Sequence, residues 1–196
     1  MDLVFRINQF KRELEQADKN RIKAARLAVR VEAARLRKVL GDEIESGAPG
    51  GRSLSPLSEI AKARRYRRKN KNPLYMFKKL ARYRAHETSD GGYQVDIGFS
   101  GLGKDDPATS GRWQKLIYMH QAGARIPVTH DLRKGLIAIA KGMRGKKKNV
   151  FFLKKSTTAI DVPARPIIES FWNTHEREAE QNIIVNFARK MRGERI

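Results

Sequence analysis

The chain has 196 residues, and its 42 Lys or Arg against 21 Asp or Glu give a formal net charge of +21. It contains no cysteine, which excludes disulfide bonds, thiolate metal sites and cysteine nucleophiles. A hydrophobic content of 40% excludes a compositionally disordered chain, and the charge favours a polyanionic partner, either nucleic acid or an acidic protein surface.

Residues 3–45 are predicted to form one long helix, because they contain no proline and no glycine before Gly41. Two apolar stripes follow each other out of phase along this helix, namely Leu3, Ile7, Phe10, Leu14, Ala17 and then Ile22, Val29, Ala33, Leu36, Leu40. We expect part of the helix to pack on another subunit, with packing on its own domain as the alternative. Residues 1–46 are therefore predicted as an assembly arm and residues 47–196 as an α+β domain.

The next segment begins with a glycine- and proline-rich break at residues 47–53. Ser55 or Ser58 is a candidate N-cap for a short helix that continues through residues 61–69. Residues 62–84 contain eleven Lys or Arg and no acid, and we call them the first basic block. Its predicted contacts with DNA or an acidic partner are Arg64, Arg65, Arg67, Arg68 and Lys69.

Residues 81–99 are predicted to form a β-hairpin, since Tyr93, Val95, Ile97 and Phe99 alternate after a glycine-containing turn. A helix is predicted over residues 110–121 and ends at Gly123. One face of this helix carries Trp113, Leu116, Ile117 and His120. The two tryptophans, Trp113 and Trp172, are interpreted as packing residues, with base stacking as the alternative.

A second helix is predicted over residues 131–141, followed by a glycine-bounded loop and a strand at residues 149–153. Residues 133–155 contain nine Lys or Arg and no acid, and form the second basic block. Lys146, Lys147 and Lys148 are its predicted contacts with DNA or an acidic partner. For both blocks, a merely solvated surface is the alternative.

Residues 157–166 are predicted to be extended, because each proline disfavours helix at the residue before it. Pro166 then suits the first turn of a long final helix, which we expect to pack on the sheet. The predicted fold class is α+β, a small antiparallel sheet packed by helices, with a long N-terminal helix and a long C-terminal helix.

No segment suggests a membrane or secretory role. The apolar runs are far shorter than the roughly 20 residues of a membrane-spanning helix, and residues 1–6 lack the pattern of a secretory signal. We therefore expect a soluble protein without a membrane partner.

The sequence also lacks a persuasive catalytic or cofactor motif. The four histidines show no metal-ligand spacing, and neither a phosphate-binding loop nor a nucleophile elbow occurs. His120 is interpreted as a partly buried residue that hydrogen-bonds the following loop, with a catalytic acid or base as the alternative. No catalytic, cofactor-binding or metal-binding residue is predicted, and no cofactor.

Several short strings together resemble the phage virion morphogenesis and tail-completion family. They are GRSLSPLS at residues 51–58, PL at 73–74 with Leu80, VDIG at 95–98, YMHQAG at 118–123 and IDVPARP at 160–166. Their order and spacing, over residues 47–190, carry the resemblance. The chain departs from the pattern at residues 53–54, where a Trp is frequent, and in a long lysine-rich insertion before Asn149.

The resemblance implies a non-enzymatic structural protein of the virion, assembled in the host cytoplasm, at the neck or head-proximal end of the tail. It implies a homo-oligomeric ring, a hexamer or dodecamer, next to the DNA channel. Expected neighbours are other neck, tail-terminator, tail-tube and portal or adaptor proteins. The motif residues expected to be structural are His120, Gln121, Gly123, Pro163, Arg165 and Pro166. A basic nucleic-acid-binding protein of the ribosomal or nucleoid type is the alternative.

Overall fold

A computed structural model describes residues 3–6, 19–56, 58–60, 74–89, 93–99, 110–143 and 146–196. Within these ranges the chain contains long helices near both ends and two small antiparallel sheets. The predicted α+β class is therefore confirmed.

Two long helices, α1 (Lys19–Ser46) and α4 (Ile167–Met191), form the scaffold of the main core. They run antiparallel, because Arg35 pairs with Glu178 at 3.1 Å, whereas Glu43, further along α1, pairs with the earlier His175 at 2.6 Å. The second stripe predicted for α1 faces this core, and its buried members are Val29, Ala33, Leu36 and Leu40. The described part of the N-terminal helix thus packs on its own domain, and the core draws residues from both sides of position 46.

The larger sheet contains β1 (Leu3–Arg6), β2 (Arg82–Glu87) and β3 (Tyr93–Gly98), with β3 in the centre. The predicted hairpin of β2 and β3 is confirmed, although residues 90–92 of its turn lie outside the described residues. The prediction of one helix from residue 3 is wrong at residues 3–6, which pair antiparallel with β3. Residues 3–6 suit a strand as well as a helix, and their backbone hydrogen bonds with β3 decide between the two.

Helix α2 (Ser110–Ala122) agrees with the prediction and ends at Gly123, whose φ of +76° suits glycine at a helix end. Ile117 is buried and His120 is partly buried, whereas Leu116 remains exposed. Two short 3₁₀ segments, Pro49–Gly51 and Tyr75–Leu80, pack against α1. Pro49 of the first is buried, and Phe77 of the second belongs to the main core. The side chain of Trp113 and the predicted helix at residues 61–69 lie outside the described residues.

Residues 124–162 form a unit that we call the basic lobe. Strands β4 (Ala124–Pro127) and β5 (Ala159–Val162) pair antiparallel at its base. Between them lie α3 (His130–Lys141), which confirms the predicted helix, and a 3₁₀ segment, Lys146–Phe151. Leu136, Ala140 and Phe151 build a second, smaller core there.

The predicted strand at residues 149–153 is wrong, because residues 146–151 adopt the 3₁₀ conformation. A tight helical turn carries Phe151 back against Leu136 and Ala140, where it is almost fully buried. Burial of this aromatic side chain provides more stabilisation than an isolated strand would gain.

The final helix α4 packs chiefly on α1 and on the 3₁₀ turn Pro49–Gly51, whereas α1 provides most of the helical cover of the sheet. Pro166 stands at the N-cap, one position before the predicted first turn. No described helix has both the length and the apolar character that crossing a membrane requires.

Candidate functional site

The strand-to-helix junction between β5 and α4 is organised by a buried arginine. The side chain of Arg165 is only 2% exposed. Its Nε donates to the carbonyl of Ser55 at 2.8 Å, and one terminal nitrogen donates to the carbonyl of Pro56 at 2.8 Å. The other terminal nitrogen lies 3.2 Å from the Pro163 carbonyl and 3.0 Å from His120 Nδ1. One guanidinium group therefore joins three chain segments.

The ring of His120 is an acceptor in this arrangement. A guanidinium has only donors, so Nδ1 of His120 must be unprotonated to accept the bond from Arg165. The backbone carbonyl of His120 also accepts from the Arg165 amide at 2.7 Å. Burial lowers the pKa of Arg165 from its ordinary value, because removal from water disfavours the charged form. This geometry favours the structural interpretation of His120 over the catalytic one.

The remaining predicted motif residues meet at the same junction. Gln121 Oε1 lies 3.4 Å from the amide of Ile168 in the first turn of α4, where helix amides lack internal partners. A Cβ at Gly123 would stand 3.0 Å from the nitrogen of Ala164, so α2 and the junction approach closely there. Pro166 ends the junction at the N-cap of α4. The six residues with a predicted structural role therefore all lie at or beside this junction.

The turn at residues 49–51 fixes the same end of α4 from the other side. Gly50 has a φ of +63°, and its amide donates to the carboxylate of Glu43 at 2.7 Å. The other oxygen of Glu43 lies 2.6 Å from Nε2 of His175. Thr174 Oγ1 lies 3.2 Å from the Gly50 carbonyl. Helix α1, the turn and α4 are therefore tied by one polar cluster.

The predicted contact residues of the basic blocks are placed only in part. Arg64, Arg65, Arg67, Arg68 and Lys69 lie outside the described residues. Lys146, Lys147 and Lys148 open the 3₁₀ segment of the basic lobe instead of lying in a loop, and the side chain of Lys148 is exposed. The lobe adds four further exposed lysines that the sequence analysis did not single out, Lys134, Lys141, Lys154 and Lys155.

Arg133 is a site residue that the sequence analysis missed. Its terminal nitrogens donate to the carbonyls of Leu153, Lys154, Lys155 and Thr157 at 2.6–3.2 Å. The guanidinium therefore holds the loop after the 3₁₀ segment against the first turn of α3. Nothing in the local sequence distinguishes Arg133 from the other cations of the block, because its four acceptors are backbone atoms about 20 residues away.

A groove of about 360 Å³ lies between α1 and the 3₁₀ segment Tyr75–Leu80. Lys78 Nζ lies 3.0 Å from Asp42 and 2.6 Å from Glu45, and hydrogen bonds to these carboxylates raise the pKa of Lys78. Both carboxylates that line the groove are therefore engaged with Lys78. In the described ranges no three His, Asp or Glu side chains form a group able to hold a metal ion.

Comparison with known proteins adds no identification. No protein-family model, no curated protein and no solved structure matches the chain. Function is therefore inferred from the sequence motifs together with the geometry of the junction and the basic lobe.

Proposed function

We propose that the chain is a non-enzymatic structural subunit of a tailed bacteriophage, in a neck or tail-completion ring that joins the head or portal side to the tail beside the DNA channel. The observation that supports this most is the junction at Arg165. Three of the strings that resemble the tail-completion family, including one 110 residues distant from Arg165, meet there through hydrogen bonds.

The chemistry of the junction suits a building block better than an enzyme. The hydrogen bonds described for Arg165 and for Glu43 with His175 connect parts of the scaffold to each other. Such bonds fix the angles between α1, α2 and α4. A closed ring needs this rigidity, because a small change in the angle of each subunit accumulates around the ring.

The proposed partners are further copies of the chain, as a hexamer or dodecamer, and neighbouring neck, tail-terminator, tail-tube or portal and adaptor proteins. The proposed location is the virion, after assembly in the host cytoplasm. The net charge of +21 agrees with a place next to packaged DNA, since lysines and arginines contact phosphates without reading bases.

The oligomeric state of the full-length chain tests this function. After nuclease treatment and at high salt, light scattering and native mass spectrometry should find one discrete oligomer of six or twelve subunits. The high salt screens the positive charges that repel each other between subunits. A protein that stays monomeric or dimeric at every concentration, and also in the presence of its neck partners, would refute the ring.

Deleting residues 1–20 should abolish assembly and leave a folded domain. The buried positions of α1 begin at Ala24, so the main core keeps its residues, whereas the first apolar stripe and β1 are lost. Circular dichroism should show retained helix and a cooperative melt, and light scattering should show loss of the oligomer. Normal assembly of the truncated chain would show that the N-terminal segment is not an assembly element.

The second candidate function is a basic nucleic-acid-binding protein of the ribosomal or nucleoid type. The observation that favours it is the basic lobe, which exposes five lysines on one small unit. Such a protein should be monomeric or dimeric and should retard RNA or DNA at physiological salt. The ring subunit should instead form its oligomer in the absence of nucleic acid.

A further inference from the structure

The basic lobe concentrates positive charge that is not neutralised within the chain. Residues 124–162 contain ten Lys or Arg and two Asp, and no acid lies between residues 132 and 160. One of the two acids, Asp161, lies 3.8 Å from Arg125 across the β-ribbon. Within the described part of the chain, no ion pair involves the exposed lysines of the lobe, which are Lys134, Lys141, Lys148, Lys154 and Lys155.

The packing of the lobe forces these lysines outward. Leu136 and Ala140 face the small core with Phe151, so the opposite side of α3 faces solvent. Lys134 and Lys141 are two helical turns apart on that side, about 10 Å along the axis. Along the duplex axis, that distance covers about three phosphates of one strand, at roughly 3.4 Å of axial rise each.

Arg133 places two more lysines beside this face. Its bonds to the carbonyls of residues 153–157 hold Lys154 and Lys155 next to the first turn of α3. Because the guanidinium bonds backbone carbonyls, Arg133 contributes to ligand binding by ordering the loop that carries Lys154 and Lys155. Lys148, in the 3₁₀ segment that follows α3 along the chain, is a further exposed cation of the lobe.

We infer that the basic lobe binds the phosphate backbone of duplex DNA without reading sequence, with Arg133 as the positioning residue of the Lys154–Lys155 loop. The composition of the exposed surface selects DNA over an acidic protein. Lysine is depleted from protein–protein interfaces, whereas backbone phosphates require only point charges. The two arginines with described contacts have partners inside the lobe: Arg125 lies near Asp161, and Arg133 bonds backbone carbonyls. The inference rests on the proposed function, because a place in the ring beside the DNA channel is what brings the lobe next to DNA.

The test is the salt dependence of duplex binding by the full-length chain, measured by fluorescence anisotropy with a random-sequence duplex. Replacing Lys134, Lys141, Lys154 and Lys155 together by Gln should make the slope of log K against log salt shallower by about three to four. Each lost phosphate contact accounts for roughly 0.9 of that slope. Affinity at low salt should fall at least about ten-fold.

A matched control removes the same charge elsewhere. Replacing Lys23, Lys38, Lys115 and Arg177, which are exposed and lie outside both the lobe and the first basic block, by Gln should change the slope by less than about one. Equal effects of the two quadruple variants would overturn the lobe as the binding surface. A lobe variant that keeps its DNA slope but loses binding to poly-glutamate would overturn DNA in favour of an acidic protein.

Arg133→Lys tests the positioning role, because it keeps the charge but cannot bridge four carbonyls. We expect an unchanged salt slope and an affinity about five-fold weaker, from the cost of ordering the loop on binding. Unchanged affinity would overturn that role. If the wild-type chain forms a ring that binds no DNA, the inference is refuted and the proposed function is not. If it binds DNA through the lobe as a monomer, the proposed ring is refuted and the inference is not.

Discussion

Replacing Arg165 by alanine should lower the free energy of unfolding by about 3–5 kcal/mol. The substitution removes all four side-chain hydrogen bonds and leaves the carbonyls of Ser55, Pro56 and Pro163 without this donor. It also opens a cavity where a large side chain is 2% exposed. In chemical denaturation the midpoint should shift strongly, and the melting temperature should fall by roughly 10 °C.

Two conservative variants separate the causes of that loss. Arg165→Met keeps most of the volume without any donor, and it should cost nearly as much as alanine if the hydrogen bonds carry the stabilisation. Arg165→Lys keeps the charge but replaces the planar five-donor fork by one ammonium group, so we expect an intermediate loss of about 2 kcal/mol. A methionine variant as stable as the wild type would show that packing, not hydrogen bonding, holds the junction.

The helices could be predicted from sequence because each carries its own periodic signal. The apolar spacing of α1 from Val29 to Leu40 and the alternation in β3 both report which face is buried. Short pairings carry no such signal. Residues 3–6 pair with an edge of β3, and β4 pairs with β5 across more than 30 intervening residues. Four-residue strands of this kind are defined by their partner, which local sequence does not reveal.

At the candidate site, too, local motifs could be predicted from the sequence, whereas their distant partners could not. The string IDVPARP at residues 160–166 and the His120 region are singled out by resemblance, which implies a structural role for Arg165. Its acceptors are carbonyls in the described structure, together with the His120 ring. The identity of distant acceptors, such as Ser55, follows only from the fold. Arg133 was missed for that reason, since a clamp on backbone oxygens leaves no trace in side-chain patterns.

Charge is the feature that sequence alone predicts least completely. The two basic blocks contain eleven and nine cations, but only the fold separates cations used internally from those available to a partner. Lys78 is paired with Asp42 and Glu45. Counting charges along the chain therefore overstates the binding surface, because cations such as Lys78 and Arg133 are already engaged within the fold.

Replacing Gly50 by alanine should destabilise the protein by about 2–5 kcal/mol. Gly50 has a φ of +63°, which costs an L-residue with a Cβ about 1–2 kcal/mol. An added Cβ would also stand 2.0 Å from the carbonyl oxygen of Ser170 and 2.9 Å from the nitrogen of Phe171. These are backbone atoms in the first turn of α4, so the helix or the turn must move. Movement there would also strain the bond from the Gly50 amide to Glu43.

Gly51→Ala is the matched control, because the neighbouring glycine has a similar positive φ without the contact. Its φ is +72°, and nothing lies within 4 Å of the added Cβ. We expect a loss of only about 1 kcal/mol, from the left-handed conformation less the reduced entropy of the unfolded chain. The difference between the two variants in urea denaturation isolates the contact between the turn and α4. Equal losses of stability in the two variants would mean that α4 moves away from the added Cβ with little loss of free energy. The turn would then not fix the end of this helix.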